Sequence, residues 1–518
     1  MANFFQSILS EAKVQLPGCG GPRMRGLRSA LLALGCVGLM SAGAVRGQEL
    51  ASLPMAPSAL LAATQSASGP PATPILTTRF AGGVTVEPAT PGALALGLDD
   101  AIARGLAHNL QIQLDTQTER TVRGDILAAG NQLLPDLKAS AYTSTTEVNL
   151  AGLGFKPSSL VAFGFAPGSV KTIVKVDTTD AQLSLDQPLV NLPYFYLYRA
   201  AEKAANVASL NVLNTRGGVV LAVGTQYLAA LADQAQIANA QALLEADREV
   251  LRQATLSHDA GVGTNLDVLR ARVQLQTQQQ ALVRAQNTFA KDKIALDRLI
   301  GLPAGQELTL TDAVPDAEFA ALPLDQAKAL AYERRKDLLT LEAELQVAER
   351  ASKAVKFERV PTLAFSGYYG VLGETRGLYH GVFTAQGILK IPIFEEGRFR
   401  GEREVTAAQQ IALGRQIDSL KVTIEAQIRA SMLDVESSAE LVKVARSNVD
   451  LAQQELSDTR DRFSAGVDDN LPVVEAQATL AAAQSRLIST EFQLNQAKLQ
   501  LARNTGVVET QYKRYLGR

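Results

Sequence analysis

The stretch His258–Leu302 returns, without a gap, as Phe463–Val507. In the first copy Val268, Leu275, Leu282, Phe289 and Leu296 recur every seventh residue, and Val473, Leu480, Leu487, Leu494 and Leu501 answer them in the second. The segments ahead keep the same step: Val223, Ala230, Ile237, Leu244 and Leu251 match Ile428, Val435, Val442, Val449 and Leu456. A seven-residue apolar repeat holds one stripe on one side of an α-helix, and two such helices joined by a short turn pack stripe to stripe. The spacing therefore predicts two coiled-coil helical hairpins. The long arm of each spans Pro193 to His258 or Arg398 to Phe463, about 100 Å at 1.5 Å rise per residue. Gly217, Gly218 and Gly224 are expected to loosen the first arm, and Ala260–Thr264 to reverse it.

Ahead of each hairpin lies a second repeated unit. A helix with an acidic start opens at Leu98-Asp99-Asp100 and again at Leu324-Asp325-Gln326, and Pro135 and Pro361 end the two copies. Proline lacks the amide proton and pushes its predecessor toward extended backbone, so each is a place to leave a helix. Period two follows. Leu137, Ala139 and Ala141 alternate with Lys138, Ser140 and Tyr142, and Ala181, Leu183 and Leu185 with Gln182, Ser184 and Asp186. In the second copy Phe383, Ala385, Leu389 and Ile391 alternate with Thr384, Gln386 and Lys390. Strands of about 9–11 residues with one apolar and one polar side fit a transmembrane β-barrel with a wet interior; a half-buried soluble sheet alternates in the same way. The return strands are expected to end at Pro188 and Pro392, and the first hairpin carries a longer loop around Asn149–Phe155 and Phe163–Phe165.

Residues 1–47 read as a secretory signal peptide: Arg23, Arg25 and Arg28 precede an apolar run from Ala30 to Met40, with small residues after it. Both cysteines, Cys19 and Cys36, fall in that leader. Residues 48–97 form a Pro/Ala-rich arm without a sustained period, 98–302 the first repeat, 303–323 a connector, 324–507 the second repeat and 508–518 a C-terminal tail. Aromatics make up only 5% of the chain and Trp is absent, which suits slender helical columns rather than a wide core. The net charge is −2 and most of the leader's charges are basic, so the remainder is acidic and holds no nucleic-acid-binding domain. No run of 18 apolar residues follows the leader, and none of the Gly-rich segments makes a phosphate loop. His108, His258 and His380 are scattered, with His258 on the apolar stripe where the second copy has Phe463, so core or tip packing is expected of it. Neither an enzyme site, nor a cofactor, nor a metal site is expected.

Four strands cannot close, and an open sheet edge in lipid leaves backbone groups unpaired at several kcal/mol each. Since the smallest closed membrane barrels have about eight strands, further copies must complete the sheet: two give eight, three give twelve.

Several short motifs, in the same order in both halves, resemble the TolC-like outer-membrane efflux proteins. They are the helix starts Leu98–Ala101 and Leu324–Ala327, the strand starts Leu133–Pro135 and Val360–Pro361, the segments Gln187–Leu189 and Ile391–Phe394, and the turns Ala260–Val268 and Ala465–Val473. The resemblance spans Leu96 to Val507. It implies a mainly α fold with a membrane β-barrel, in which a homotrimer closes twelve strands in outer-membrane lipid and builds an α-helical barrel across the periplasm of a Gram-negative bacterium. It implies an exit duct of a tripartite efflux system, passive in itself, docking on a periplasmic adaptor (membrane fusion) protein and an inner-membrane transporter. A type I protein-secretion duct and a non-pore coiled-coil surface protein are the alternatives. In this family the hairpin turns, here Gly261, Val262, Gly263, Thr264, Asp267, Gly466 and Val467, meet the adaptor; a purely structural turn is the plainer reading. Asp468, Asp469 and Glu475 lie at the expected mouth, where three copies would make acidic rings, although solvated tip charges are common. Only Glu475 carries over directly, because Pro472 stands where the family has an acid and the first half has Asp267. Tyr194, Phe195, Tyr196 and Tyr198 follow a strand and suit an interfacial aromatic belt or packing at the barrel–helix junction.

Overall fold

The structure, a computed structural model, describes residues 82–84, 91–149, 151–152, 173–315, 322–375, 377–465, 467–468 and 470–517. The leader, most of the arm and most of the long first loop lie outside them, as do Gly466 and Asp469. The first half runs β1 (Leu94–Leu96), α1 (Leu98–His108), α2 (Leu110–Asn131), β2 (Asp136–Asn149), β3 (Ile173–Val190), α3 (Leu192–Asp259) and α4 (Asn265–Ile300). After β4 (Leu308–Leu310) the plan repeats as α5 (Leu324–Arg334), α6 (Lys336–Phe357), β5 (Thr362–Glu374), β6 (Tyr379–Lys390), α7 (Glu396–Ser464) and α8 (Leu471–Asn504). A last helix, α9 (Val508–Leu516), ends the chain.

The heptads build the two hairpins α3–α4 and α7–α8, whose long arms have 68 and 69 residues. Val223, Ala230 and Leu244 of α3 are buried, as are Ile428, Val435, Val442 and Leu456 of α7. Near the turns the hairpins share one apolar cluster of Val250, Ala254 and Val268 with Leu456, Val473 and Leu480. The cap chemistry fits. Asn191 accepts from the Tyr194 amide at 3.1 Å, with Pro193 in the first turn of α3, where its missing N–H has no partner to lose. Gly301, at φ +75, closes α4 in the left-handed conformation.

Gly217, Gly218 and Gly224 do not loosen α3, which passes through them unbroken. Gly224 admits a neighbour instead, since a Cβ there would stand 3.0 Å from Leu499, while one on Gly217 would touch the Arg503 guanidinium at 3.4 Å. The expected single helix before each sheet hairpin is two helices. One residue with extended ψ breaks it, Asn109 in the first half and Arg335 in the second. Asn109 then caps α2, accepting from Gln111 N at 2.9 Å, while Arg335 donates to both oxygens of Asp337 at 3.1 and 2.6 Å. Apolar spacing runs on across a one-residue break, so periodicity alone cannot find it.

The main core joins sequence-distant pieces. β1 pairs in parallel with β4, Leu94 opposite Leu308 and Leu96 opposite Leu310. Fully buried Tyr227 of α3 donates from its hydroxyl toward Leu96 O and Asp312 Oδ2, at 3.0 and 2.9 Å. Among the described residues α3 holds the one window apolar enough to cross a membrane by composition, with mean hydropathy 1.2. Its residues Val219, Val220, Val223, Leu228 and Leu231 are spent in this core. The expected tail, residues 508–518, folds as α9 and docks here through Val508, Tyr512, Tyr515 and Leu516. Tyr512 and Lys513 reach Asp99 at 2.5 and 2.7 Å, and Arg216 reaches Glu509 at 2.6 Å.

Candidate functional site

Two regions of the chain face away from its own core: the four-stranded sheet and the hairpin turns. The sheet is antiparallel in the order β2-β3-β5-β6. Its register gathers residues into rows across all four strands. One face carries the rows Ala139, Leu183, Tyr369, Phe383 and Ala141, Ala181, Val371, Gly381. The other carries Lys138, Ser184, Tyr368, Thr384 and Asp136, Asp186, Ser366, Gln386. Side chains alternate across a strand, so the period two of the sequence becomes one apolar and one polar surface. Leu137, Leu183, Tyr369, Phe383 and Leu389 are exposed on the apolar side. From Leu363 to Val371 that side of β5 runs about 26 Å along the strand at 3.3 Å per residue, close to the apolar band of membrane barrels at about 25 Å.

The strands are longer than expected, at 14, 18, 13 and 12 residues. Pairing of β2 with β3 outlasts the apolar rows through a hydroxyl and carboxylate ladder: Thr143 with Thr179 at 3.1 Å, Ser144 with Thr178 at 2.9 Å, and Thr145 donating to Asp177 at 2.6 Å. Nor does β3 end at Pro188. That residue sits opposite Ala364 beside a register shift, and the strand continues to Val190. A bulge absorbs the missing donor.

At the first turn Gly261 has φ +77, the left-handed region that glycine enters without strain. Gly263 lies so close to the end of α3 that a Cβ there would meet Ser257 Cβ at 2.9 Å. Val262, between them, is 84% exposed. Thr264 and Asp267 form a capping box, the Thr264 hydroxyl donating to Asp267 Oδ2 at 2.7 Å and accepting from Asp267 N at 3.2 Å. Asn470, fully buried, donates from Nδ2 to Asp267 O at 2.8 Å and so joins the two turns. Pro472 lies in the first turn of α8, where proline costs no hydrogen bond. Val467 is exposed; Asp468 is ion-paired with Arg462 at 2.7 Å; Glu475 is exposed on α8. His258 does not pack in the core. It is exposed in the last turn of α3, with Nδ1 3.4 Å from Asp259, whereas its counterpart Phe463 packs against the apolar cluster near the turns.

The aromatics sit at the sheet–helix junction. Tyr196 stacks on Phe357 with centroids 4.9 Å apart, and Phe195 meets Tyr196 edge-on at 5.5 Å. Tyr198 lies against Gly130, where a Cβ would come within 3.3 Å of its ring. Tyr194 and Tyr196 are half-buried and Phe195 is exposed.

The first hairpin also holds acids, Asp247 and Asp297 buried and Asp233 half-buried, that no sequence motif marks. Burial pushes the Asp297 carboxyl up to about 7 and that of Asp247 up to about 6, the latter against Gln274 and the Arg460 charge, which oppose the rise. Burial, and then the neighbouring Asp292 carboxyl, also raise Asp233. The signal was available in the repeat, since the second half has Ala452 where the first has Asp247, and Ala502 where it has Asp297. Among the described residues no group of three His, Cys, Asp or Glu side chains is placed to hold a metal ion.

An antiparallel sheet with one apolar face, joined to duplicated helical hairpins, is the architecture of a class of outer-membrane channels. The comparisons agree. The family model described as outer membrane efflux protein matches residues 101–302 and 329–507. The chain belongs to that family, and it is an outer-membrane protein of the efflux and secretion class. Pyoverdine export outer membrane protein OpmQ of Pseudomonas aeruginosa is 24% identical over 422 residues, 79% of this chain and 85% of that protein. Alkaline protease secretion protein AprF of the same organism is 24% identical over 436 residues, 80% and 86% of the two chains. Among solved structures, the Campylobacter jejuni CmeC outer membrane channel has a TM-score of 0.68 at 13% identity, covering 85% of this chain and 93% of its own. VceC of Vibrio cholerae has a TM-score of 0.64 at 16% identity, covering 79% and 96%. These two show the shared fold.

Proposed function

We propose that the protein is the outer-membrane exit duct of a tripartite export system, conducting cargo passively from a periplasmic adaptor and an inner-membrane transporter to the outside. One observation carries the reading: an apolar-faced sheet whose two edges, β2 and β6, are unpaired among the described residues. Successive neighbours are antiparallel, so β2 and β6 run in opposite directions, and the β6 of one copy can pair antiparallel with the β2 of the next. Closure removes the edges, which lipid would otherwise leave unsatisfied. Three copies give a twelve-strand barrel with the polar rows inside. The helices support the same assembly. Ile411, Val422, Leu433 and Val444 of α7 are exposed at a constant spacing of eleven, which keeps them on one face. Val273, Val283 and Ile294 of α4 are exposed as well. These faces suit helices of a neighbouring copy in an α-helical barrel.

At the far end the turns Gly261–Thr264 with Asp267, and Val467 with Gly466, meet the adaptor; the exposed Val262 is the feature that favours this. Glu475 contributes the acidic ring of the mouth, joined by Asp469 and by Asp468 in its pair with Arg462. Phe195, together with Tyr194, Tyr196 and Tyr198, marks the interface on the helical side of the membrane. Relatives serving pyoverdine export and protease secretion are equally similar at 24% identity, so the duct reading covers small-molecule and protein cargo alike. The test is single-channel conductance in a planar bilayer, with oligomer mass measured on the same detergent-purified sample. A trimer with discrete conductance is expected; a water-soluble chain without channels would overturn the barrel and favour a surface stalk.

A further inference from the structure

Each half of the chain joins its sheet hairpin to its long helix once, and the two joints are built differently. In the first, only Asn191 lies between β3 and α3; it caps the helix, and Tyr196 in the next turn stacks on Phe357. In the second, residues 391–395 separate β6 from α7, and no side chain among the described residues caps the start of α7. An uncapped start leaves its amides without partners in the helix, so packing and charge must hold this end of α7.

One arginine does most of the holding. Arg398, in the first turn of α7, donates from Nη1 to Glu358 at 2.6 Å and to Glu402 at 3.0 Å. From Nε and Nη2 it donates to Glu395 at 2.9 and 2.6 Å. Glu358 is the residue that closes α6, so this guanidinium ties α6 to α7. Arg359 and Arg400 are taken by Glu396, at 2.5 and 2.9 Å. The Arg359 and Arg398 guanidiniums also lie over the buried Phe399 ring, 5.7 and 4.6 Å from its centroid. Three carboxyl groups, Glu358, Glu395 and Glu402, thus share one guanidinium.

Glu358 and Glu402 are also hydrogen-bonded to each other, which two carboxyl groups can be only when one of them holds a proton. Glu402 Oε2 is buried and takes no hydrogen bond from any donor among the described residues. Burial first, and then the bond with Glu402, push the Glu358 carboxyl up to about 7, against the pull of Arg398. From α3 the neighbour at this level is Tyr196 on Phe357, and no charge from α3 acts on the pair. The first half has Gln132, Pro193 and Leu197 where the second has Glu358, Arg398 and Glu402, so the arrangement belongs to the second joint alone.

We propose that the second joint is a proton-operated latch: Glu358 and Glu402 share one proton beneath Arg398, which fastens α6 to the start of α7, and loss of that proton to water releases the start of α7. A carboxyl whose affinity for its proton is raised by folding favours the folded arrangement while protonated, so the latch is closed at acidic pH and loosens as pH rises through about 7. The freedom of the sheet to move against the shaft then answers to the pH around the junction. The latch lies within one chain and stands whether or not several copies close a barrel.

The chain has no tryptophan, and Gly401 of α7 is exposed with open space where a side chain would go. Gly401→Trp in the full-length protein therefore gives a single fluorescent reporter beside Glu402, and Phe195→Trp, at an exposed position of the first joint, is the control. Fluorescence anisotropy is followed in detergent from acidic to alkaline pH. The expected result is a fall for Gly401→Trp with its midpoint at about 7, no such step for Phe195→Trp, and loss of the step when either Glu402→Gln or Glu358→Gln is added. A flat trace for Gly401→Trp would overturn the latch, as would a step that survives both glutamine variants or an equal step at Phe195→Trp.

Discussion

Asp247 places a carboxylate on the apolar stripe of α3, 2% exposed, where the second half of the chain has Ala452. Burial raises its carboxyl from 3.8 to about 6, even though Gln274 and Arg460 pull the other way. The folded chain thus binds its proton more tightly than the unfolded chain does. Below the unfolded value both states are protonated and no penalty exists. Between pH 3.8 and about 6 the unfolded state ionises first and stability falls, and above about 6 the full penalty is present. At 1.36 kcal/mol per tenfold change in proton affinity, a rise from 3.8 to 6 amounts to about 3 kcal/mol per chain. Asp247→Asn keeps a partner for Gln274 and removes the charge. It should therefore stabilise the shaft by up to about 3 kcal/mol at pH 8, seen as a Tm several degrees higher by circular dichroism in detergent, and leave Tm unchanged near pH 3. A gain of the same size at both pH values would refute the reasoning, because the effect would then come from packing or helix propensity. A loss at pH 8 would show that the Arg460 charge outweighs burial.

Three further expectations concern packing and the turns. A Cβ on Gly105 would stand 2.7 Å from Val223 Cγ2, so Gly105→Ala should push α1 off α3 and cost about 1–3 kcal/mol, whereas Gly124→Ala on α2, with open space around it, should be neutral or stabilising by up to about 1 kcal/mol; thermal unfolding separates them. At the turns, Val262→Lys should abolish pull-down of the cognate adaptor while trimers stay intact, and Glu475→Gln should lower cation selectivity in the bilayer; retained pull-down or unchanged selectivity would leave these residues as plain turn and surface groups.

The sequence by itself determined the periodic parts. Heptads separated by glycine turns can pack only as hairpins, and they specified both; period two between Pro135 and Asp186, and again after Pro361, specified which residues share a face of the sheet. Each is a local rule, satisfied by one element and its immediate partner. Tertiary structure decided what depends on residues far apart in the chain. The breaks at Asn109 and Arg335 leave the apolar spacing intact, and Asp337 and Gln427 complete the second of them. β1 finds β4, and Tyr227 and Asp312 close over that pair from two other segments. The tail becomes a core helix because Asp99 and Arg216 lie ready to receive it. Gly224 of α3 reads locally as a weak point and serves as a close-approach site, since only the packed Leu499 shows why a side chain is tight there. The buried acids belong to the same group, because a carboxylate's state is set by what surrounds it, and one strand of text does not contain its surroundings.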